Sequence, residues 1–182
     1  MKHSKTIGPT IIFCALFLGS SNAQARGVAE DYVTALQGKW KGGGIVTTDK
    51  KNKKVKLRCS TNNTLDTESR TLTMKGRCAS SIGSRPLVGH IQYSKDGETF
   101  DSVSLTIAGR GGASEVSLQD NQLTLSNTEE LKNGEIRKNR NLITEQQDQY
   151  SIDLLSEQNG EYVSRGVLIF KPRKSGHKKP SQ

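Results

Sequence analysis

The sequence predicts an all-β fold, a small antiparallel β-barrel of about eight to ten strands with a short N-terminal helix and a basic disordered C-terminal tail. Three observations predict it. Apolar and polar residues alternate in short runs, as in Val103-Ser104-Leu105-Thr106-Ile107, which gives a strand one buried and one wet face. Hairpin signals separate the runs at Asp96-Gly97, Asp120-Asn121, Asn133-Gly134 and Asn159-Gly160. Two cysteines, Cys59 and Cys78, sit where a single hairpin register opposes them. Antiparallel chains of this length close as a barrel or pack as a sandwich, because open sheets expose their edges, and the meander of hairpin turns favours the barrel.

The chain opens on the three parts of a secretory signal peptide. Lys2 and Lys5 supply the positive start, residues 11–18 the apolar run, and Ala23-Gln24-Ala25 the small-x-small cleavage site. The run is too short to span a membrane as a helix, so no transmembrane span is expected after cleavage. Removing residues 1–25 shortens the chain from 182 to 157 residues, the size of one domain, here expected over 26–170 with the basic tail at 171–182. It also removes Cys14 and leaves two cysteines, an even number suited to one structural bridge in an oxidising compartment. The expected location is therefore the periplasm or the extracellular space.

After cleavage, residues 28–36 (VAEDYVTAL) form a helix that packs Val28, Tyr32, Val33 and Leu36 on one side, and Gly38 stops it. Trp40 begins a strand through Gly42-Gly43-Gly44 to Thr48, with a bend or bulge at the glycines. A lysine-rich turn leads into the hairpin of residues 55–78. With a two-residue turn at Glu68-Ser69, Leu65 faces Leu72, Asn63 faces Met74, and Cys59 faces Cys78. Directly opposed Cβ atoms lie roughly 4.5–5.5 Å apart, near the reach of a disulfide. One register thus accounts for the cysteine spacing and the apolar pattern together. Residues 79–86 look like a loop broken by Gly83 and Pro86. Strands follow at 87–94 and 103–107, then at Val116 with Leu118, Leu123 with Leu125, 150–155 and 161–170, and Pro172 ends the order.

The stretch Leu36-Gln37-Gly38-Lys39-Trp40 resembles the opening of calycin-type barrels such as lipocalins, avidins and bacterial protease-inhibitor barrels. In that resemblance Gly38 and Trp40 close one end of the barrel. More of the chain is similar to a family of small exported alphaproteobacterial proteins, through 36–44 (LQGKWKGGG), Lys56-Leu57-Arg58-Cys59 and Arg77-Cys78-Ala79-Ser80. That likeness implies an envelope or secreted protein and brings no active site with it.

Chemistry points away from catalysis. His90 is the one histidine expected in the ordered body, and no nucleophile elbow, phosphate loop or metal-spaced histidine/cysteine set accompanies it. No cofactor and no metal are expected. Gly109-Arg110-Gly111-Gly112 reads as a glycine-rich turn, with anion cradling by its backbone as the other reading. Net charge falls from +9 to +7 when Lys2 and Lys5 are removed, and what remains is concentrated. Lys50, Lys51, Lys53, Lys54, Lys56 and Arg58 form one cluster, the candidates for contacting an anionic partner; Lys171, Arg173, Lys174, Lys178 and Lys179 form another. A solvated turn and a solvated tail explain the same charges. No aromatic residue interleaves with the first cluster, so nucleic acid is not an expected partner.

The expected function is a non-enzymatic binding or interaction protein, monomeric, meeting an anionic envelope component or another protein. Two alternatives stay open. One is a secreted effector or virulence factor that meets a host protein. The other is a protease inhibitor that inserts residues 26–31 into a protease cleft.

Overall fold

The computed structural model describes residues 27–48, 52–107, 110–112, 115–130 and 134–173, the backbone alone for 110–112. Along them run α1 (Val28–Ala35), β1 (Gly38–Thr47), β2 (Lys54–Asp66), β3 (Thr71–Ser80), β4 (Gly83–Tyr93), β5 (Phe100–Ile107), β6 (Arg110–Gly112), β7 (Glu115–Gln119), β8 (Gln122–Glu130), β9 (Ile136–Gln146), β10 (Gln149–Gln158) and β11 (Glu161–Pro172). All strands join one antiparallel sheet of order β6-β5-β4-β3-β2-β1-β11-β10-β9-β8-β7. The first and last long strands meet along Trp40↔Pro172 to Val46↔Gly166. The sheet curls until β6 lies near β8, leaving a nearly closed barrel. The all-β barrel expected from the sequence is the fold, with the three-residue β6 carrying the strand count to eleven.

The hairpin register is the predicted one: Leu65↔Leu72, Asn63↔Met74 and Cys59↔Cys78 are paired across β2 and β3. A disulfide joins Cys59 to Cys78. The turn is longer than two residues, since the last pair is Asp66↔Thr71. Asp66 Oδ1 accepts the backbone N–H groups of Glu68 and Ser69, an Asx-type turn that organises the four residues between the strands. The hydrogen bond from the Ser69 hydroxyl, followed by these two backbone bonds, holds the Asp66 carboxyl below its usual pKa range.

Two element boundaries and one helix face differ from expectation. Residues 79–86 are not a loop: β3 runs to Ser80 and β4 starts at Gly83, with Arg77↔Pro86 inside the ladder. Pro86 is tolerated because β5 begins to pair with β4 only at Leu87, so the missing N–H costs no bond on that side. In α1 it is Ala29, not Val28, that joins Tyr32, Val33 and Leu36 in the core, and Val28 is 58% exposed. Gly27 lies against Gly97 in the turn after β4, and the Ala29 N–H donates to the Gly97 carbonyl at 2.9 Å, which fixes the helix's rotation. Lastly, β11 continues through Lys171 and Pro172 into the stretch expected to be tail.

Inward side chains fill half of the barrel. Leu72, Met74, Leu87, Ile91, Leu105, Leu123, Ile143, Ile152 and Leu168 are fully buried there, each contributing about 1.5–3 kcal/mol of burial. Helix α1 covers this half as a plug. The Tyr32 hydroxyl donates to the Ile143 carbonyl at 2.7 Å, tying the plug to β9 across the barrel.

Candidate functional site

The plugged end is built around Trp40. Its indole N–H donates to the Leu36 carbonyl at 3.0 Å, and the Asn63 amide donates to the same oxygen at 2.8 Å. Both capture a carbonyl that the end of α1 leaves without a helical partner. The Trp40 ring meets Tyr150 edge-on at 4.9 Å between centroids, and Tyr150 stacks on Phe170 at 4.6 Å. Gly44 makes the tight β1–β11 approach possible, because a Cβ there would collide with the Val167 carbonyl oxygen. Gly38 precedes this cluster with φ of 123°, a conformation open to glycine. The arrangement is a closely packed wall of aromatic rings. Burial pushes the Tyr150 hydroxyl up to about 12, against a hydrogen bond with Thr61 that lowers it. Burial likewise carries the Tyr32 hydroxyl well above the ordinary tyrosine range.

The predicted cation cluster divides. Lys50 and Lys51 lie outside the described residues. Lys53 lines a cavity at the opposite, open end. Lys54, Lys56 and Arg58 are exposed on β2, where the alternation that turns Val55, Leu57 and Cys59 inward turns them out.

Strand pairing places Lys56 and Arg58 beside cations that are remote in sequence. Arg58 is flanked by Gly43 and Ala79, Lys41 pairs with Lys171 and Ser60, and Ser60 pairs with Arg77. One rung toward the plug, Lys39 and Lys75 both pair with Asn62, and the Arg173 N–H donates to the Lys39 carbonyl at 2.7 Å. The outer wall of β11, β1, β2 and β3 therefore carries Lys171, Lys39, Lys41, Lys56, Arg58, Lys75 and Arg77, with Arg173 at its edge, all exposed. None of them forms an ion pair among the described residues, and β1 and β3 contain no carboxylate at all. Arg77 donates to the Ser84 hydroxyl at 3.1 Å. Ile45, Val167 and Ile169 are exposed next to these cations, Ile45 being paired with Val167. Asp153 on β10 borders the wall and accepts the Ser164 hydroxyl. Sequence order hides half of the wall: Lys56, Arg58, Lys171 and Arg173 fall in the two clusters visible in the sequence, while Lys39, Lys41, Lys75 and Arg77 are isolated pairs that only the register brings beside them.

No protein-family model matches the chain, and no curated protein sequence matches it. Among solved structures it is similar to the crystal structure of Rv2717c from M. tuberculosis. That likeness has 11% identity, covers 82% of this chain and 100% of that one, and has a TM-score of 0.49. It is also similar to a redesigned β-barrel, mFAP1, bound to DFHBI, at 13% identity over 78% of this chain and 98% of that one, with a TM-score of 0.38.

The remaining candidates are placed as follows. His90 is exposed on the outer face of β4. No group of three or more His, Cys, Asp or Glu is arranged to hold a metal among the described residues. No described helix is long and apolar enough to cross a membrane. Gly109 of the glycine-rich turn lies outside the described residues, while Arg110 to Gly112 pair with β5 as β6. Residues 27–31 are engaged in the plug, with Ala29 and the N–H groups of Ala29 and Glu30 bound to the Gly97 turn. The segment assigned to protease insertion is thus committed to the barrel from Gly27 onward.

Proposed function

We propose that this is an exported, non-enzymatic binding protein that attaches to an anionic lipid surface of the cell envelope through the outer wall of β11, β1, β2 and β3. The observation that carries the reading is the field of unpaired cations on one rigid wall, with no carboxylate on β1 or β3 to offset it. Each lysine or arginine within a Debye length of an anionic membrane contributes about 1 kcal/mol. Exposed Ile45, Val167 and Ile169 add apolar contact beside the charges, which suits a lipid interface. The outward positions of β1, β2 and β3 hold no aromatic ring on which a base could stack, which speaks against single-stranded nucleic acid. The signal-peptide pattern and the disulfide support an oxidising, extracytoplasmic setting. The calycin-like Gly38-Lys39-Trp40 start fits a binding barrel of this kind.

Co-sedimentation of the mature chain with vesicles tests it. Vesicles containing phosphatidylglycerol are expected to pull the protein down, as are lipopolysaccharide aggregates if phosphate is the shared determinant; pure phosphatidylcholine is not. Binding should fade at about 0.5 M salt, where screening shortens the Debye length to a few ångströms. The triple substitution Lys41→Glu, Arg58→Glu, Lys171→Glu should abolish it. Equal binding to neutral vesicles, or binding that survives the charge reversal, overturns the proposal.

A further inference from the structure

The half of the barrel away from the plug is hollow. A cavity of about 710 Å³ opens there, within the range of roughly 300–1,000 Å³ typical of small-molecule sites. Its two sides differ in chemistry. Val46, Val55, Leu57 and Ile107, from β1, β2 and β5, make one side apolar. Facing them, β8 to β11 turn in Asn127, Asn139, Asn141, Ser156 and Arg165.

Two features mark the polar side as built. Asn127, Asn139 and Ser156 form one rung, since Asn127 pairs with Asn139 and Asn139 with Ser156. Asn127 Oδ1 is buried and has no hydrogen-bond partner among the described residues, and an unsatisfied buried acceptor costs about 1–3 kcal/mol. Arg165 reaches the cavity through a β-bulge. Leu154 pairs with Gly166 and Leu155 with Ser164, so Arg165 is skipped in the ladder and its side chain turns inward. Gly166 permits the bulge, with φ of 143° and the Ile45 carbonyl oxygen where a Cβ would lie. The Arg165 guanidinium then donates to the Thr47 carbonyl at 3.5 Å. Arg137 and Glu129 also line the cavity, on neighbouring positions of the β8–β9 ladder. The charged residues lining the cavity are Lys53, Arg85, Arg137 and Arg165 against Glu129, so cations outnumber carboxylates in its wall.

We infer that this cavity is a binding site for a small organic carboxylate that carries a hydrogen-bond donor beside an apolar body. The carboxylate meets Arg165, the donor meets Asn127, and the apolar body lies along Val55, Leu57 and Ile107. This site is separate from the outer wall, and its ligand is a single molecule, not a surface.

Fluorescence of dansylaminoundecanoic acid bound to the oxidised mature protein, displaced by matched ten-carbon compounds, tests the inference. We expect 3-hydroxydecanoate to displace the probe best, decanoate next, and decanol and decyltrimethylammonium roughly ten- to a hundredfold less well, the range of a lost charge-assisted hydrogen bond. Arg165→Met should weaken both carboxylates by a similar factor and leave decanol unchanged. Asn127→Leu should remove the advantage of the hydroxyl. Leu57→Trp, which fills the apolar side without touching a charge, should block every ligand, and circular dichroism confirms that each variant is folded. Equal displacement by charged and uncharged compounds overturns the inference, as does an Arg165→Met protein that binds like the parent, or absence of probe binding. The vesicle-binding triple variant should bind the probe normally, so failure at the wall and failure in the cavity are told apart.

Discussion

At the scale of single residues, the tyrosines show how much the plug depends on buried polar atoms. Tyr32 links α1 to the Ile143 carbonyl, and Tyr150 shares a hydrogen bond with Thr61 at 3.0 Å. Each is a neutral acid whose pKa is raised in the fold, mainly by burial. The unfolded chain therefore loses these protons first, at the ordinary value of 10.0. Their stabilising effect is intact below that pH and is lost as pH rises toward the folded values, about 12 for Tyr150. Urea unfolding is expected to show stability falling by about 1.4 kcal/mol per pH unit for each tyrosine above pH 10. Tyr150→Phe should remove its share of that slope while losing about 1 kcal/mol at neutral pH, because the Thr61 hydroxyl loses its partner. An unchanged alkaline slope would show that the tyrosine is not held neutral by burial. The helix pattern already put Tyr32 on a packed face, but nothing in the sequence distinguished Tyr150 from Tyr162, which lies on the outer surface of β11 under the Arg140 guanidinium.

Among the elements, the β2–β3 hairpin was the most legible, because its apolar period and its cysteines demand the same register. The bridge closes a loop with a separation of 19 residues, worth roughly 3 kcal/mol through lost unfolded-chain entropy. Reduction, or Cys59→Ala with Cys78→Ala, should lower the urea midpoint accordingly. Near-ultraviolet circular dichroism in water should persist, since Leu65, Leu72 and Met74 keep the register. A reduced protein as stable as the oxidised one would contradict this. Strand β9 was the least legible. Its inward positions at the open end are Arg137, Asn139 and Asn141, so the apolar alternation that reveals β5 is absent from most of its length. The same substitution of polar for apolar inward residues that hides the strand creates the polar side of the cavity. The bulge at Arg165 was hidden for a related reason: from sequence parity Arg165 belongs outside, and only the skipped pair reverses it. Helix α1 was found from its pattern, yet its rotation was set by Gly27 packing on the Gly97 turn, a contact between segments 70 residues apart.

For the whole molecule, charge is distributed by topology more than by composition. The run from Lys50 to Arg58 stood out in the sequence, and among its described residues Lys56 and Arg58 stand beside the cations of β1, β3 and β11 on the outer wall. The cations of β1 and β3 come in pairs, Lys39 with Lys41 and Lys75 with Arg77, too sparse to register as clusters, whereas Lys171 and Arg173 belong to the second cluster visible in the sequence. A barrel plugged at one end, hollow at the other and basic along one side can hold a small molecule inside while its wall faces an anionic surface. Amide NMR of the mature protein titrated with phosphatidylglycerol nanodiscs would locate that surface directly. The expected result is signal loss confined to outward residues of β11, β1, β2 and β3, centred on Lys41, Arg58 and Lys171, and reversed by salt. Perturbation spread over β7 to β9, or none at all, would contradict the assignment of the basic wall as the binding face.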